Sequence, residues 1–170
     1  MNLKSFIRDV PDYPKPGILF KDITPLLHNA QAFSTAIALM KTHHAGRGID
    51  KVCAIEARGF IFGAPLAAAL GIGFVPIRKS GKLPWNTMSE EYALEYGTDK
   101  LEIHADAVAK GESALIVDDL LATGGTANAA CRLLERLGAH VVGLTFLTEL
   151  TFLKGRQTLG GRDVFSLMEY

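Results

Sequence analysis

The sequence predicts an α/β fold in which a mainly parallel sheet is covered by helices on both faces. Short apolar runs typical of buried strands alternate with stretches in which apolar residues recur at helical spacing. At 170 residues the chain is long enough for one such domain, residues 1–170, and too short for two ordinary ones. Its composition, 48% hydrophobic and 21% charged, is that of a globular protein and excludes a disordered or collagen-like chain.

Proline marks the first part of the chain, at Pro11, Pro14, Pro16 and Pro25. Prolines this close together exclude a long helix, because each lacks a backbone N–H and fixes its own φ angle. We therefore expect residues 1–27 to form a shaped arm, or hood, outside the core.

The rest of the chain alternates between strand and helix patterns. Apolar runs typical of buried strands lie at residues 51–55, 73–77, 114–117, 141–147 and 164–167. Helical spacing predicts helices over residues 30–45 and 126–137, and an Ala/Leu-rich helix is expected after Phe60, ending at Gly71. The strand at 114–117 is expected to end at Asp118, and the run 101–104 to pair with residues that follow it. This alternation indicates a mainly parallel sheet with helices on both faces.

Residues 78–97 show no sustained period and mix glycine, proline, Trp85 and several charges. A connection of this length without secondary structure is usually functional or disordered in a compact domain. It opens with three closely spaced cations, Arg78, Lys79 and Lys82, and a solvated charged surface is the ordinary explanation of such a cluster.

Charge and motif content exclude several classes of protein. Eighteen basic and eighteen acidic residues give a formal net charge of zero, which argues against a nucleic-acid or membrane-surface protein. No apolar run approaches the ~20 residues that span a bilayer, and no signal-peptide stretch is seen, so a cytoplasmic location is expected. The zinc-hydrolase, serine-hydrolase, P-loop and Rossmann motifs are absent. Cys53 and Cys131 lie in apolar patterns and are expected to be core residues in a reducing compartment.

The segment most informative about function is IVDDLLATGGT, residues 116–126. In a parallel α/β sheet, ligands bind beyond the carboxyl ends of the strands, where this segment is expected. Gly124 and Gly125 permit a tight turn whose N–H groups, with the N-terminal end of the next helix, form an anion site for one phosphate. The hydroxyl groups of Thr123 and Thr126 can add further donors.

Asp118 and Asp119 directly precede that loop. Ionised carboxylates only accept hydrogen bonds, so the pair is suited to holding hydroxyl groups. A phosphate site beside a diol site describes a ribose 5-phosphate. The alternative is a structural turn capped by the two acids, but the order of strand, acidic pair, apolar pair, TGGT and helix favours the binding site.

This segment resembles the phosphoribosyl-pyrophosphate signature of type I phosphoribosyltransferases, and its wording VDDLLATGGT is similar to that of adenine phosphoribosyltransferases. Four more segments extend the resemblance over nearly the whole chain: residues 12–27, 55–67, 76–84 and 91–104. The resemblance implies the type I phosphoribosyltransferase fold, with a hood at 1–27 and a mobile catalytic lid at 78–97. It also implies the reaction of adenine with 5-phosphoribosyl 1-pyrophosphate (PRPP) to give AMP and pyrophosphate.

The resemblance assigns roles in PRPP binding to two further groups of residues. The pyrophosphate would lie on the loop of Glu56, Ala57, Arg58 and Gly59, held by backbone N–H groups and by the Arg58 guanidinium. A surface ion pair with Glu56 is the alternative role of Arg58. Some relatives have serine where Ala57 stands, so only backbone contacts are expected there. Beside such a site, Arg78 and above all Lys79 and Lys82 would neutralise the leaving pyrophosphate.

The family pattern also assigns the 5-phosphate, the ribose and the base. The 5-phosphate would bind to Ala122, Thr123, Gly124, Gly125 and Thr126. Asp118 and Asp119 would hold the ribose diol and stabilise its positive charge, while Glu95 would serve adenine N7 as an acid or hydrogen-bond partner. The alternative for Glu95 is one more acid in an acidic stretch. The base would lie against Leu19, Phe20, Lys21 and Leu120, although some relatives have arginine at the Lys21 position.

The resemblance further implies Mg²⁺ as cofactor, with no direct protein ligand, because the ion would bridge the pyrophosphate and ribose hydroxyls. It implies a homodimer in which a basic residue near the lid reaches the neighbouring site. Two alternatives stay open. A regulator that only senses the ligand would have lost the lid residues and usually gains a nucleic-acid-binding module, and a transferase for guanine, hypoxanthine or orotate would differ in a few hydrogen bonds to the base.

Overall fold

A computed structural model describes residues 1–93 and 97–170 of the chain. Its nine strands are β1 (Arg8–Pro11), β2 (Leu19–Asp22), β3 (Lys51–Ile55), β4 (Gly73–Lys79), β5 (Thr87–Ala93), β6 (Thr98–His104), β7 (Ser113–Leu121), β8 (His140–Glu149) and β9 (Val164–Glu169), counted over these residues. The α-helices are α1 (Thr24–His28), α2 (Ala30–His44), α3 (Arg58–Leu70), α4 (Gly125–Arg136) and α5 (Gly155–Thr158). Short 3₁₀ turns lie at Leu3–Phe6 and Thr151–Leu153.

Seven of the strands form one sheet in the order β5-β6-β4-β3-β7-β8-β9. The pairs from β4 to β9 are parallel, and β5 and β6 are antiparallel at one edge. Successive residues of β3 face opposite layers: Cys53 and Ile55 pack in the cluster that contains α4, and Val52 and Ala54 in the cluster that contains α2 and α3. The predicted sheet with helices on both faces is confirmed.

Helices α2 and α4 begin and end within one residue of the prediction, whereas α3 begins at Arg58, earlier than expected. Asn29 caps α2, its side-chain oxygen accepting from the Ala32 N–H at 2.9 Å. Gly71 ends α3 in the left-handed region at φ 73°. The predicted end of the strand at Asp118 is wrong. Strand β7 continues to Leu121, because its partner β8 remains paired with it through Glu149.

The expectation of an irregular segment over residues 78–97 is also wrong within the described residues. Strand β4 runs to Lys79, and Thr87–Ala93 pairs antiparallel with Thr98–His104, Tyr92 opposite Asp99. The run 101–104 therefore pairs with residues that precede it, not with residues that follow. The antiparallel ladder satisfies the backbone of a polar segment whose apolar side chains are too few to show a clear strand period.

The N-terminal arm contains short elements only, as its prolines require. Strands β1 and β2 form a small antiparallel sheet, with Asp9 opposite Lys21. The expectation that the arm lies outside the core is wrong at three residues, Leu3, Ile23 and Leu26, which are buried against the α2 side of the sheet.

Both cysteines are buried free thiols, as expected of core residues. Burial raises the pKa of the Cys53 thiol to about 12. In the described part of the chain, no helix is long and apolar enough to cross a membrane.

Candidate active site

The carboxyl ends of the parallel strands β3, β4 and β7 meet at one edge of the sheet, and an open pocket of about 490 Å³ lies there. Most of its lining belongs to the predicted site: Glu56, Ala57, Arg58, Lys79, Asp118, Asp119, Leu120 and Thr126. Tyr92 and Asp99 of the β5–β6 hairpin complete one wall. The fold thus brings the predicted pyrophosphate loop, the lid cation and the acidic pair together.

A second, smaller cavity of about 90 Å³ lies inside the TGGT loop. Residues 120–127 and Asp118 line it, so Asp118 borders both cavities. The loop leads directly into α4, whose first turn closes with the Asn128 N–H donating to the Gly124 carbonyl at 2.9 Å. The first N–H groups of a helix have no partner within the helix, and this end of a helix attracts anions.

Two glycines give the loop its shape. Gly124 stands at φ 85°, in the left-handed region that favours glycine. A Cβ atom on Gly124 would lie 2.5 Å from the carbonyl oxygen of Gly155, which begins α5. A Cβ atom on Gly155 would lie 2.3 Å from the carbonyl oxygen of Ala122. The Thr158 hydroxyl also donates to the Thr123 carbonyl at 2.8 Å, so the α5 segment braces the loop from behind.

Asp118 and Asp119 lie in the last part of β7, and their carboxylates have different partners. The Asp119 N–H donates to Asp118 Oδ1 at 2.8 Å, and Asp119 Oδ2 lies 2.8 Å from Arg58 Nε. Burial and the adjacent Asp119 charge raise the pKa of Asp118 well above its usual range. Burial also raises the pKa of Asp119, and the Arg58 guanidinium opposes part of this rise. Such carboxylates gain most from a ligand that brings hydroxyl donors and positive charge.

Gly59 lets α3 begin directly beside the acidic pair. A Cβ atom on Gly59 would lie 2.8 Å from Asp118 Oδ1 and 3.0 Å from the Val117 carbonyl oxygen. A larger residue would push the pyrophosphate loop away from β7.

The cations of the pocket are held by carboxylates. The expected alternative pairing of Arg58 with Glu56 is wrong, because Arg58 pairs with Asp119. Glu56 instead accepts from Arg78 Nε at 2.9 Å and from the Lys79 N–H at 2.6 Å. Its pKa is lowered below the usual range: burial acts to raise it, but the hydrogen bond from the Lys79 backbone and the Arg78 guanidinium outweigh burial.

The two lysines of the predicted lid differ in surroundings. Lys79 Nζ lies 2.9 Å from Asp99 Oδ2, and this hydrogen bond raises the pKa of Lys79. Tyr92 donates its hydroxyl proton to the same Asp99 oxygen at 3.2 Å. Lys82 offers its carbonyl oxygen to Arg78 at 3.2 Å, so this turn fixes the orientation of Arg78.

A family model described as "Phosphoribosyl transferase domain" matches residues 23–156. The chain is 58% identical to the adenine phosphoribosyltransferase of Thermoanaerobacter sp. (strain X514), over 99% of this chain and 97% of the relative. The chain belongs to the adenine phosphoribosyltransferase family. The identification suggested by the sequence motifs is confirmed.

Solved structures of family members share the fold over nearly their whole length. The crystal structure of the adenine phosphoribosyltransferase from Thermoanaerobacter pseudethanolicus superposes with a TM-score of 0.96 at 58% identity, covering 99% of this chain and 98% of that one. The enzyme from Saccharomyces cerevisiae, complexed with adenine and an imino-altritol bisphosphate, gives 0.93 at 44% identity, covering 97% and 96%. The type I phosphoribosyltransferase fold is therefore confirmed.

The residues that the family resemblance assigns to the base lie on the hood and on β7. Phe20 packs edge-on against Tyr13, with ring centroids 5.1 Å apart, and the Arg58 guanidinium carbon lies 5.4 Å from the Phe20 centroid. Leu19 and Lys21 line a separate, mainly apolar cavity of about 560 Å³ that Thr123 also borders. Leu120 lines the pocket of the acidic pair instead. Arg58 links the two regions.

Lys21 is held within the arm. Its Nζ lies 2.6 Å from Asp9 Oδ1, across the β1–β2 ladder, and 4.2 Å from the Tyr170 ring centroid. These contacts account for a cation at this position without a ligand.

Glu95, the residue assigned to the base N7, lies outside the described residues. Tyr92 and Asp99 were missed by the sequence reasoning, because the charged Glu90 between Met88 and Tyr92 hides the period-2 pattern of the strand.

The pocket also bears on how Mg²⁺ could be held. Among the described residues, no group of three or more His, Cys, Asp and Glu side chains is placed to hold a metal ion. The carboxylates of Asp118 and Asp119 do border the pocket, and carboxylate oxygens suit a hydrated Mg²⁺ that arrives on phosphates.

Proposed function

We propose that this chain transfers the phosphoribosyl group of PRPP to adenine, and that the two adjoining cavities hold the sugar phosphate during the reaction. The observation that carries the proposal is the position of Asp118, which borders both the TGGT cavity and the larger cationic pocket. A phosphate site, a diol site and a pyrophosphate site in that order match the three parts of PRPP.

The 5-phosphate binds in the TGGT loop. Residues 122–126 surround it with backbone N–H groups, and the N-terminal end of α4 adds a favourable electrostatic field. The Thr123 and Thr126 hydroxyls are further donors. The bracing of the loop by Gly155 keeps these groups in place before the ligand arrives.

The ribose diol donates its hydrogen bonds to Asp118 and Asp119. As the C1–O bond to pyrophosphate breaks, positive charge develops on the ribose ring, and the carboxylates of the half-buried Asp118 and the buried Asp119 stabilise that charge. Asp119 gives up its contact with Arg58 when the diol binds. Arg58 is then available to the departing pyrophosphate.

The pyrophosphate leaves onto the loop of Glu56, Ala57, Arg58 and Gly59, with Lys79 and Lys82 neutralising its charge. Backbone N–H groups serve at Ala57, which has no hydroxyl. Arg78 is a supporting residue, since Glu56 and the Lys82 carbonyl hold its guanidinium. Mg²⁺ bound to PRPP would supply charge neutralisation at the phosphates, beside the carboxylates of Asp118 and Asp119 that border the pocket.

Adenine attacks C1 through N9, forming the N9–C1 bond as the C1–O bond breaks, and its N9 proton passes to the departing pyrophosphate. Phe20 stacks on the purine while Leu19 and Leu120 pack against its edges. Lys21 supports the hood through Asp9. Glu95 holds N7 as the acid or hydrogen-bond partner, and residues 78–97 form the lid that excludes water from the reacting sugar.

The remaining assignments belong to the same proposal. Residues 1–170 act as one catalytic domain with a hood at 1–27, in the cytoplasm and as a homodimer. The buried, free Cys53 and Cys131 suit a reducing compartment. Neither nucleic acid nor a membrane is a partner, since the formal net charge is zero.

Product detection with each nucleobase, PRPP and Mg²⁺ tests the proposal. We expect AMP from adenine at least ~100-fold faster than any product from hypoxanthine, guanine or orotate, because a mismatched base leaves buried polar groups unpaired. Comparable rates with hypoxanthine would overturn the choice of base. PRPP binding without turnover of any base would favour the ligand-sensing regulator.

A further inference from the structure

Glu90 is an acidic residue in an unusual position on the β5–β6 hairpin. Glu90 lies between Met88 and Tyr92 on the same face of β5, and those two side chains pack against the core cluster that contains α4. A carboxylate on the face directed at a helix is costly unless it is paired. Among the described residues, Glu90 lines neither of the two site cavities.

Two arginines of α4 pair with Glu90. Arg132 Nε lies 2.5 Å from Oε1 and Arg136 Nη1 lies 2.8 Å from Oε2. The same guanidinium groups donate to β5 backbone carbonyls, Arg132 to Glu91 at 3.3 Å and Arg136 to Ser89 at 2.8 Å. Arg132 and Arg136 are one helical turn apart, so they grip the strand as a unit. We call Glu90, Arg132 and Arg136 the α4 clamp.

The clamp carboxylate is ionised at neutral pH. Its hydrogen bond from Arg132 outweighs burial and, with Arg136, lowers the pKa of Glu90. Its side chain is 18% exposed, against 39% for Arg132 and 52% for Arg136. Charge-assisted pairs with one shielded partner are stronger than fully exposed ones.

The strand that the clamp holds continues into the pocket. Two residues beyond Glu90, on the same face, the Tyr92 hydroxyl donates to Asp99 at 3.2 Å, and Tyr92 lines the pocket together with Thr126. Asp99 in turn holds Lys79 Nζ at 2.9 Å. The chain of contacts therefore runs from the clamp, through Tyr92 and Asp99, to a cation of the pocket.

Helix α4 connects the two ends of this arrangement. Its first turn carries Thr126 and belongs to the phosphate loop, and its last turns carry the clamp arginines. A hairpin that shifted along α4 would move Tyr92 relative to Thr126 and Asp99 relative to Lys79.

We propose that Glu90 is a positioning residue for the transfer reaction: by holding β5 on α4, it sets the place at which Tyr92 and Asp99 hold Lys79. The proposal rests on the role in pyrophosphate binding that the proposed function gives to Lys79. A purely structural clamp would change the stability of the hairpin and leave the affinity for pyrophosphate unchanged.

The test compares Glu90→Gln with Glu135→Gln. Gln has nearly the shape of Glu but no charge, and Glu135 is the matched control because it also pairs with an arginine, Arg162, at 2.7 Å and also lies on α4. Calorimetry with magnesium pyrophosphate and steady-state kinetics with PRPP are measured on the full chain. Hydrogen exchange of the β5 amides reports the position of the hairpin independently of turnover.

We expect Glu90→Gln to weaken pyrophosphate binding and raise the KM for PRPP roughly tenfold, with a smaller change in kcat and faster exchange in β5. Glu135→Gln should stay within about twofold of wild type in all three, as for an exposed pair. If the β5 amides exchange faster in Glu90→Gln but its pyrophosphate affinity and its KM for PRPP stay within twofold of the control, the positioning role is overturned. Unchanged exchange would overturn the clamp itself.

Two further measurements keep these outcomes separate. If Glu90→Gln does not fold, Arg136→Gln leaves the Arg132 bond intact and should show the same effects at smaller size, whereas normal affinity and KM in that variant would contradict the proposal. AMP formation by wild type reports on the proposed function, whereas pyrophosphate affinity reports on the clamp without any turnover.

Discussion

Arg58 and Asp119 form an ion pair at the centre of the pocket, with Arg58 Nε 2.8 Å from Asp119 Oδ2. Arg58 also lies over the ring of Phe20, 5.4 Å from its centroid. One guanidinium is thus shared between the acid proposed for the ribose and the ring proposed for the base. Substrate binding exchanges this internal pair for contacts with the ligand, so Arg58 compensates a buried carboxylate until the diol replaces it.

Replacement of Asp119 by asparagine separates catalysis from folding. We expect Asp119→Asn to lower turnover about 10²–10³-fold, because a charge that stabilises the ribose cation is lost. Its melting temperature should fall little, since asparagine retains the shape and an acceptor for Arg58. Turnover and thermal unfolding are compared with Asp163→Asn, which removes the partner of Arg47 at a surface ion pair. Turnover equal to that of the control would mean that the acidic pair is structural.

Substitution of Gly124 tests the phosphate loop. Gly124→Ala should destabilise the fold by more than the ~1–2 kcal/mol of a left-handed alanine, because its Cβ would also meet the Gly155 carbonyl oxygen at 2.5 Å. Binding of ribose 5-phosphate should weaken at the same time. Gly161→Ala is the control: Gly161 stands at φ 78° with nothing within 4 Å of its added Cβ, so only the conformational cost applies. Equal unfolding free energies for the two variants would contradict the bracing of the loop.

The pH dependence of stability has a defined contribution from His44. This side chain is buried and bonded to the Thr145 hydroxyl, and burial, helped by His43 and Arg47, lowers its pKa to about 4. Because the folded-state pKa lies below the ordinary value of 6.5, the unfolded chain binds a proton first, and stability is lost as the pH falls from about 6.5 towards 4. His44→Gln removes the titrating imidazole and with it this pH-dependent loss of stability. Between pH 7 and 5, wild type should lose about 2 kcal/mol more unfolding free energy than the variant in denaturant titrations. Parallel losses would exclude His44 as the source.

The role proposed for Glu95 is tested by kinetics. Glu95→Gln keeps a hydrogen bond but cannot transfer a proton, so single-turnover chemistry should slow roughly 10²–10⁴-fold, and at least as far in Glu95→Leu. Affinity for PRPP should barely change, because the proposed contact is to the base. Single turnovers are required because product release can mask the chemical step. A Gln variant within tenfold of wild type would limit Glu95 to hydrogen bonding or lid closure.

The sequence predicts the buried strands of the central sheet well. An apolar run such as residues 52–55 is buried on both faces of the sheet, so its composition alone indicates a core strand. The TGGT loop is equally predictable, since glycine is required where φ is positive. Both signals are local, so they need no knowledge of distant residues.

The edge hairpin could not be predicted in the same way. Glu90 occupies a position that faces a helix, and its charge hides the period of β5; only the arginines of α4, about forty residues later, explain it. For the same reason the pairing of Lys79 with Asp99 escapes a local reading. Strand β7 continues through Asp118 because β8 pairs with it there. The two acidic residues give no local sign of this pairing.

The contact between Gly124 and Gly155 limits how the anion cavity could be re-engineered. Backbone meets backbone there, and no side chain can yield to accommodate a different loop. A library that varies residues 122–126 alone would sample loops that clash with the backbone at Gly155. Enlarging the cavity for a bulkier anion therefore requires redesign of two segments at once, the loop and the start of α5.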